Sequence, residues 1–264
     1  MLTETLTDAE LAAIRALEAV VVAHDGGRLK LEHGALEKGE VDTALRWDGD
    51  RLVGFAGRYP FGPPDEVVGM VAPESRRQGI ATALLREVLT GPALLVVPTG
   101  TPAGRAFAES LGALRRHSEH FLVLGETPRT PEDQAITTRL ATQEDNDLVR
   151  DLLRRAFDWE PPDDVLHRFG DTTRVIELDG APVGTLRVSL KGDWAGVYGF
   201  AVDPDHQGKG IGRDVLARTC REVRASGVER VTLEVETENT SALGLYTSLG
   251  FALEAGEDYW EVQG

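Results

Sequence analysis

Apolar and polar positions change period along the second half of the chain in a regular order. "QAITTRLAT" (134–142) alternates as a strand does, and "EDNDLVRDLLRRAF" (144–157) takes the helical period with acidic residues at its start. "DWEPPDD" (158–164) reads as a loop leading into a short helix. "RVIELDG", "APVGTLRVSL" and "AGVYGFAVDP" then predict three consecutive strands, the first two joined by a turn at Asp179-Gly180. A glycine-rich stretch and a helix to about Ala225 follow. After them come the strand "VERVTLEVE", the helix "NTSALGLYTSL" and a terminal pair of strands. The first half shows the same order from "DTALRWDG" (42–49) onward. It begins with a helix and has no counterpart of the opening strand.

The order repeats because the sequence does. "VAPESRRQGIA" (71–81) lies over "VDPDHQGKGIG" (202–212) without a gap, at an offset of 131, the difference between Gly79 and Gly210. Val71 falls on Val202, Pro73 on Pro204 and Ile80 on Ile211. Farther along, "FAESLGA" (107–113) lies over "LYTSLGF" (245–251). The expectation is two copies of one α/β fold, residues 1–128 and 135–264, joined by the proline-bearing linker "GETPRTPEDQ" (125–134).

Composition narrows the class. With 41% hydrophobic and 27% charged residues the chain reads as globular, and no apolar run approaches the ~18 residues of a membrane span. The N-terminus lacks the basic start of a signal peptide, and the single cysteine, Cys220, allows no internal disulfide; both point to the cytoplasm. A net charge of −16 argues against nucleic acid as the main partner and permits a cationic or amine substrate. Cys220 falls on the inner face of its helix, as packing. His117 and His120, three apart on an expected strand, point to opposite faces, and no metal site is expected.

Glycines at a helix start let a ligand approach unpaired backbone N–H groups at the positive end of the helix dipole, which makes an anion site. The alternative is a loop that merely needs positive φ. A Walker loop is excluded because Gly210 follows Lys209, and a dinucleotide fingerprint because Gly208, Gly210 and Gly212 are spaced GxGxG. What fits is Q/R-x-x-G-x-G/A: Gln207, Gly210 and Gly212 in the second half, Arg76, Gly79 and Ala81 in the first. On this loop, the "AVDP" before it and "LEVETENTSALGLYTSLGF" after it, the chain resembles the GCN5-related N-acetyltransferase (GNAT) superfamily. The resemblance runs from about Thr137 to the C-terminus, and more weakly from Asp42 to Leu124. It implies tandem mixed, mostly antiparallel sheets flanked by helices, with two central strands splayed around acetyl-CoA.

Position by position, the resemblance implies that the backbone of Ala201 and Val202 hydrogen-bonds the pantetheine arm. It further implies that Gln207, Gly208, Lys209, Gly210, Ile211, Gly212 and Arg213 cradle the pyrophosphate. Asn239 lies near the cofactor, where it also suits a helix N-cap, and Ala242 and Leu245 lie along the thiol end. Tyr246 matches the acid that assists the departing thiolate, its alternative being a core aromatic. Glu234, twelve residues before it, resembles the base of the ribosomal-protein alanine N-acetyltransferases, its alternative being a solvated strand carboxylate. Tyr198 is a second candidate for the substrate side. Trp159, Glu160, Asp163 and Asp164 fall where the family builds acceptor pockets.

The first half departs from the pattern where chemistry is expected: Ala108 stands at the position of Tyr246 and Thr101 at that of Asn239. The expectation is a non-catalytic first copy, with a possible second, non-productive CoA site at Arg76–Ala81, and a second copy that acetylates a primary amine of a small molecule or peptide N-terminus. "AHDGGRLKLEHGAL" and "SRRQGIATALL" somewhat resemble mycothiol synthase, a tandem member acetylating a cysteinyl amine. Gly196, however, stands where that enzyme has a glutamate, and its His-Trp segment is missing from "GTLRVSL". The remaining alternatives are an acyl-CoA-binding sensor and an interaction module, as a monomer or homodimer.

Overall fold

In a computed structural model, residues 5–60, 62, 64–129, 133–157, 161, 166 and 172–263 are described. The chain divides into two compact units: Met1–Glu119 with Ala255–Gly264, and His120–Glu254. The helices and strands of the first unit come in the expected order. Helix α1 (Asp8–Asp25) starts at a capping box in which Thr7 and Glu10 satisfy each other's end of the turn. Helix α2 (His33–Glu37), β1 (Asp42–Asp48), β2 (Arg51–Tyr59), β3 (Asp65–Val71), α3 (Ile80–Val88), β4 (Ala93–Pro98), α4 (Pro102–Ser110) and β5 (Leu114–Leu124) follow. The chain passes out of the first unit within β5.

The second unit contains β6 (Ile136–Leu140), α5 (Asn146–Phe157), β7 (Thr173–Leu178), β8 (Ala181–Lys191), β9 (Trp194–Val202), α6 (Ile211–Ala225), β10 (Arg230–Glu236) and α7 (Thr240–Ser248). Strand β11 (Phe251–Val262) closes the chain, and its residues from Ala255 onward belong to the first unit. The expected terminal strand pair is therefore one strand. Gly256 does not turn: its carbonyl accepts from the Thr99 amide at 2.7 Å, and a Cβ there would stand 3.1 Å from Thr99 Oγ1, so the glycine serves a close approach. The short helix expected after residue 164 lies outside the described residues.

Strands in the first unit run in the order β1-β2-β3-β4-β11-β5, and in the second β5-β10-β9-β8-β7-β6. The pairs β3–β4 and β9–β10 are parallel, while β1–β2, β2–β3, β4–β11, β6–β7, β7–β8 and β8–β9 are antiparallel. One sheet face of the second unit packs on α6 and α7 through Val197, Leu233 and Val235 with Ile211, Leu216 and Tyr246. The matching face of the first unit packs on α3 and α4 through Val67, Leu95 and Val97 with Leu84 and Ala108, and the other face on α1. Cys220 is fully buried on α6, and burial pushes its thiol up to about 12.

Candidate active site

Gly208 (φ 75°) and Gly210 (φ 85°) adopt the left-handed region, where a side chain would be strained, and so bend the chain sharply into α6. The first intrahelical bond runs from the Asp214 amide to the Gly210 carbonyl at 3.0 Å, which leaves the N–H groups of Ile211, Gly212 and Arg213 without a helical acceptor. Gln207 spends its side chain on the loop itself, Nε2 donating to the Val202 carbonyl at 3.0 Å, and Lys209 Nζ donates to the Asp205 carbonyl at 3.0 Å. These residues fit a pyrophosphate chiefly through backbone N–H groups, with the exposed Arg213 beside them. Arg155 on α5 grips Asp203 with both guanidinium nitrogens (2.7 and 2.8 Å) and holds the strand end that launches the loop.

Beside the loop the two central strands separate. Pairing of β9 with β10 ends at Val197↔Leu233, although β9 continues to Val202 and β10 to Glu236. Among the described residues, the side of β9 that faces β10 at Ala201 and Val202 therefore has no strand partner, as a slot for a pantetheine arm requires. Across from it the β8–β9 register slips by one: Thr185 pairs Ala201 but Arg187 pairs Tyr198, so Gly199 and Phe200 together oppose Leu186. Gly199 (φ 52°) makes this bulge possible, and it re-aims the backbone at the mouth of the splay. Sequence reading missed the bulge; its signal was the lone glycine in "YGFAV". A Cβ on Gly212 would lie 3.4 Å from Leu245, 3.5 Å from Phe200 and 3.8 Å from Val202, so loop, splay and α7 converge there.

Asn239 is the N-cap of α7, Oδ1 accepting from the Ala242 amide at 3.0 Å. Ala242 and Leu245 pack, half-buried, on the core, and Tyr246 is 8% exposed with its ring edge-on to Phe251 at 6.1 Å. Burial pushes the Tyr246 phenol up to about 12. Among the described residues nothing hydrogen-bonds its hydroxyl. Glu234 is half-buried one step past the last β9–β10 rung, on the face opposite Leu233 and Val235. The phenol and the carboxylate thus flank the splay from opposite faces of the sheet. Tyr198 shares the Glu234 face, with the Arg187 guanidinium 4.3 Å over its ring, and its ring fills the space beside Gly196, where a Cβ would lie 2.5 Å away. Trp159, Glu160, Asp163 and Asp164 lie outside the described residues.

The first unit repeats the scaffold with different chemistry. Gly79 (φ 81°) starts α3, and β3–β4 pairing ends at Val67↔Leu95. A cavity of about 620 Å³ follows the splay; it is lined by the loop (Ser75–Ala81), by Met70, Val96 and Phe107, and by Leu29. Arg76 Nε donates to the Val71 carbonyl at 3.1 Å, the counterpart of the Gln207 anchor. Its other nitrogens clasp Asp25 at 2.9 and 2.7 Å, and this pairing holds the Asp25 carboxyl below its usual range. The β2–β3 register is regular and carries no bulge. Ala108 is fully buried where a phenol would be needed.

The sequence model of the acetyltransferase (GNAT) family matches residues 136–251. Mycothiol acetyltransferase from Mycobacteroides abscessus is 32% identical, over 78% of this chain and 79% of that protein. The chain belongs to the GNAT acetyltransferase family. The mycothiol acetyltransferase of Nocardia farcinica is 31% identical over 93% of this chain and 92% of its own. Among solved structures, a GCN5-related N-acetyltransferase from Sphaerobacter thermophilus superposes with a TM-score of 0.81 at 16% identity, covering 98% of this chain and 94% of that one. A tandem GNAT protein from the clavulanic acid biosynthesis pathway gives 0.70 at 19% identity, over 97% and 96%. The GNAT assignment makes the chain an acetyl-CoA-dependent N-acetyltransferase.

Proposed function

We propose that the second unit carries the working site and that Tyr246 and Glu234 are its acid and base. The observation that carries this reading is their placement on opposite faces of an open splay, beside a helix start whose first N–H groups have no helical acceptor. Acetyl-CoA, when bound, supplies the acetyl thioester. Ile211, Gly212 and Arg213 would hold its pyrophosphate through backbone N–H groups, and Ala201 and Val202 would offer the edge of β9 to its arm. An acceptor amine near pKa 10 is mostly an ammonium at pH 7, and Glu234 takes its proton, directly or through water. Tyr246 meets the departing sulfur from the other face. A phenol near 12 is about 3.5 units weaker than a thiol near 8.5, on the order of 5 kcal/mol against full proton transfer. Its role is therefore a strong hydrogen bond to the developing thiolate.

The acceptor is a primary amine, of a small molecule or a peptide N-terminus, in the cytoplasm. The relatives favour a second reading, a cysteinyl amine of the mycothiol type, since the match extends over nearly the full length of both chains. Arg76–Ala81 would form a second CoA cradle in the first unit, without turnover, and the cavity beside it supports that reading. Acetyl-CoA-dependent thiol release across amines, peptides and cysteinyl amines tests the assignment. Release with one acceptor class, lost in Glu234→Gln, supports it. Binding of acetyl-CoA with no release from any acceptor would instead favour an acyl-CoA sensor.

A further inference from the structure

The first unit holds a buried polar cluster on its α1 face. Lys30 is 9% exposed, and its Nζ donates to the Tyr259 hydroxyl at 2.6 Å and lies 3.3 Å from Glu66 Oε2 and 3.8 Å from Glu119 Oε2. The Tyr259 hydroxyl donates onward to Glu119 at 2.6 Å, and the ammonium is 5.1 Å from the centre of the same ring. Two carboxylates and a phenol oxygen are partners a desolvated primary ammonium needs.

The place of the cluster in the fold gives it meaning. Glu66 immediately precedes Val67, the last rung of the β3–β4 pair, just as Gly196 precedes Val197, the last rung of β9–β10. Val67, Val96 and Leu29 line the first unit's cavity. Tyr259 pairs with Val96, and Lys30 follows Leu29. The ammonium therefore stands at the head of the splay, on the face opposite Ala108. In the second unit that same face carries Glu234, whereas Ala108 occupies the Tyr246 position.

We propose that Glu66, Glu119 and Tyr259 form a seat for a primary ammonium on the acceptor side of the first unit, and that the chain's own Lys30 fills it. The inference rests on the assignment of the acceptor face in the second unit. There, Gly196 brings no carboxylate, and the Tyr198 ring fills the space beside it. In the first unit the amine position is taken from within, so this copy is closed to acceptors as well as lacking a phenol.

Lys30→Ala in the full chain, with no acetyl-CoA present, tests the seat directly. The expected result is a fall in thermal midpoint that n-propylammonium, the missing part of the side chain, reverses saturably. Neither 1-propanol nor tetramethylammonium should do so, and Lys30→Ala/Glu66→Gln should lose the rescue. Equal rescue by propanol, or none by propylammonium, overturns the proposal. Should Lys30→Ala not fold, amine-directed labelling of otherwise native protein decides: Lys30 labels far more slowly than Lys38, and Glu66→Gln accelerates it at least tenfold. A Lys30 rate equal to that of Lys38, or one unmoved by Glu66→Gln, also overturns it. Both readouts are independent of turnover, so failure of the seat and failure of the second-unit assignment are separable.

Discussion

Replacing Tyr246 by phenylalanine removes one oxygen and keeps the ring that packs on Phe251. The ring is 8% exposed, packs edge-on to Phe251, and its hydroxyl has no hydrogen-bond partner among the described residues. Folding stability should therefore change by less than about 1 kcal/mol, whereas truncation to alanine would open a cavity costing about 3–5 kcal/mol. The catalytic loss follows from the proposed hydrogen bond to the leaving sulfur. A bond to a group gaining charge is worth about 1.5–3 kcal/mol, or roughly 10- to 150-fold in rate. The loss should fall on kcat, because a neutral phenol does little for bound acetyl-CoA before the C–S bond breaks. Steady-state thiol release measures kcat, and calorimetry with acetyl-CoA measures affinity. A kcat within twofold of wild type, with affinity intact, would refute the role of Tyr246.

Other outcomes follow from the same structure. Cys220, fully buried with its thiol pushed up to about 12, should resist a disulfide reagent at pH 8 in the native protein and react once urea unfolds it, so CoA release reads without background from the chain. Asp145, which accepts from Arg139 at 2.7 and 2.8 Å and from the Thr142 amide at 2.7 Å, is held below the usual carboxylate range mainly by Arg139. Its folded-state pKa is depressed, so its contribution is complete at neutral pH and fades as acid titrates below about pH 4. Asp145→Asn should cost about 1–2 kcal/mol in urea unfolding at pH 7, with the gap narrowing at pH 3. A gap that widens in acid would contradict the assignment.

What the sequence disclosed and what it hid separate by physical range. The repeat, the glycine loop and the α7 segment were legible because each is local: φ > 0 favours glycine at 208 and 210, and Asn239 before "TSALGLY" reads as a cap. The splay followed only from family resemblance, since nothing in "VYGFAV" says where pairing with β10 ends. Residues 255–264 follow the second copy in sequence yet pack in the first unit, because strand exchange depends on partners far along the chain. The Asp25–Arg76 clasp and the Lys30–Tyr259 contact were invisible for the same reason. They join residues 51 and 229 positions apart.

The central claim is that one glycine loop serves turnover and the other does not. The direct measurement is acetyl-CoA-dependent thiol release by Gly210→Asp and Gly79→Asp. Both positions are left-handed with no atom within 4 Å of an added Cβ, and aspartate tolerates that conformation better than most residues. Gly210→Asp would set a carboxylate against the pyrophosphate in the proposed cradle, and Gly79→Asp makes the same change in the other loop. Gly210→Asp should abolish release while Gly79→Asp leaves it within about twofold of wild type. Loss in Gly79→Asp with activity kept in Gly210→Asp would place the working site in the first unit and contradict the account.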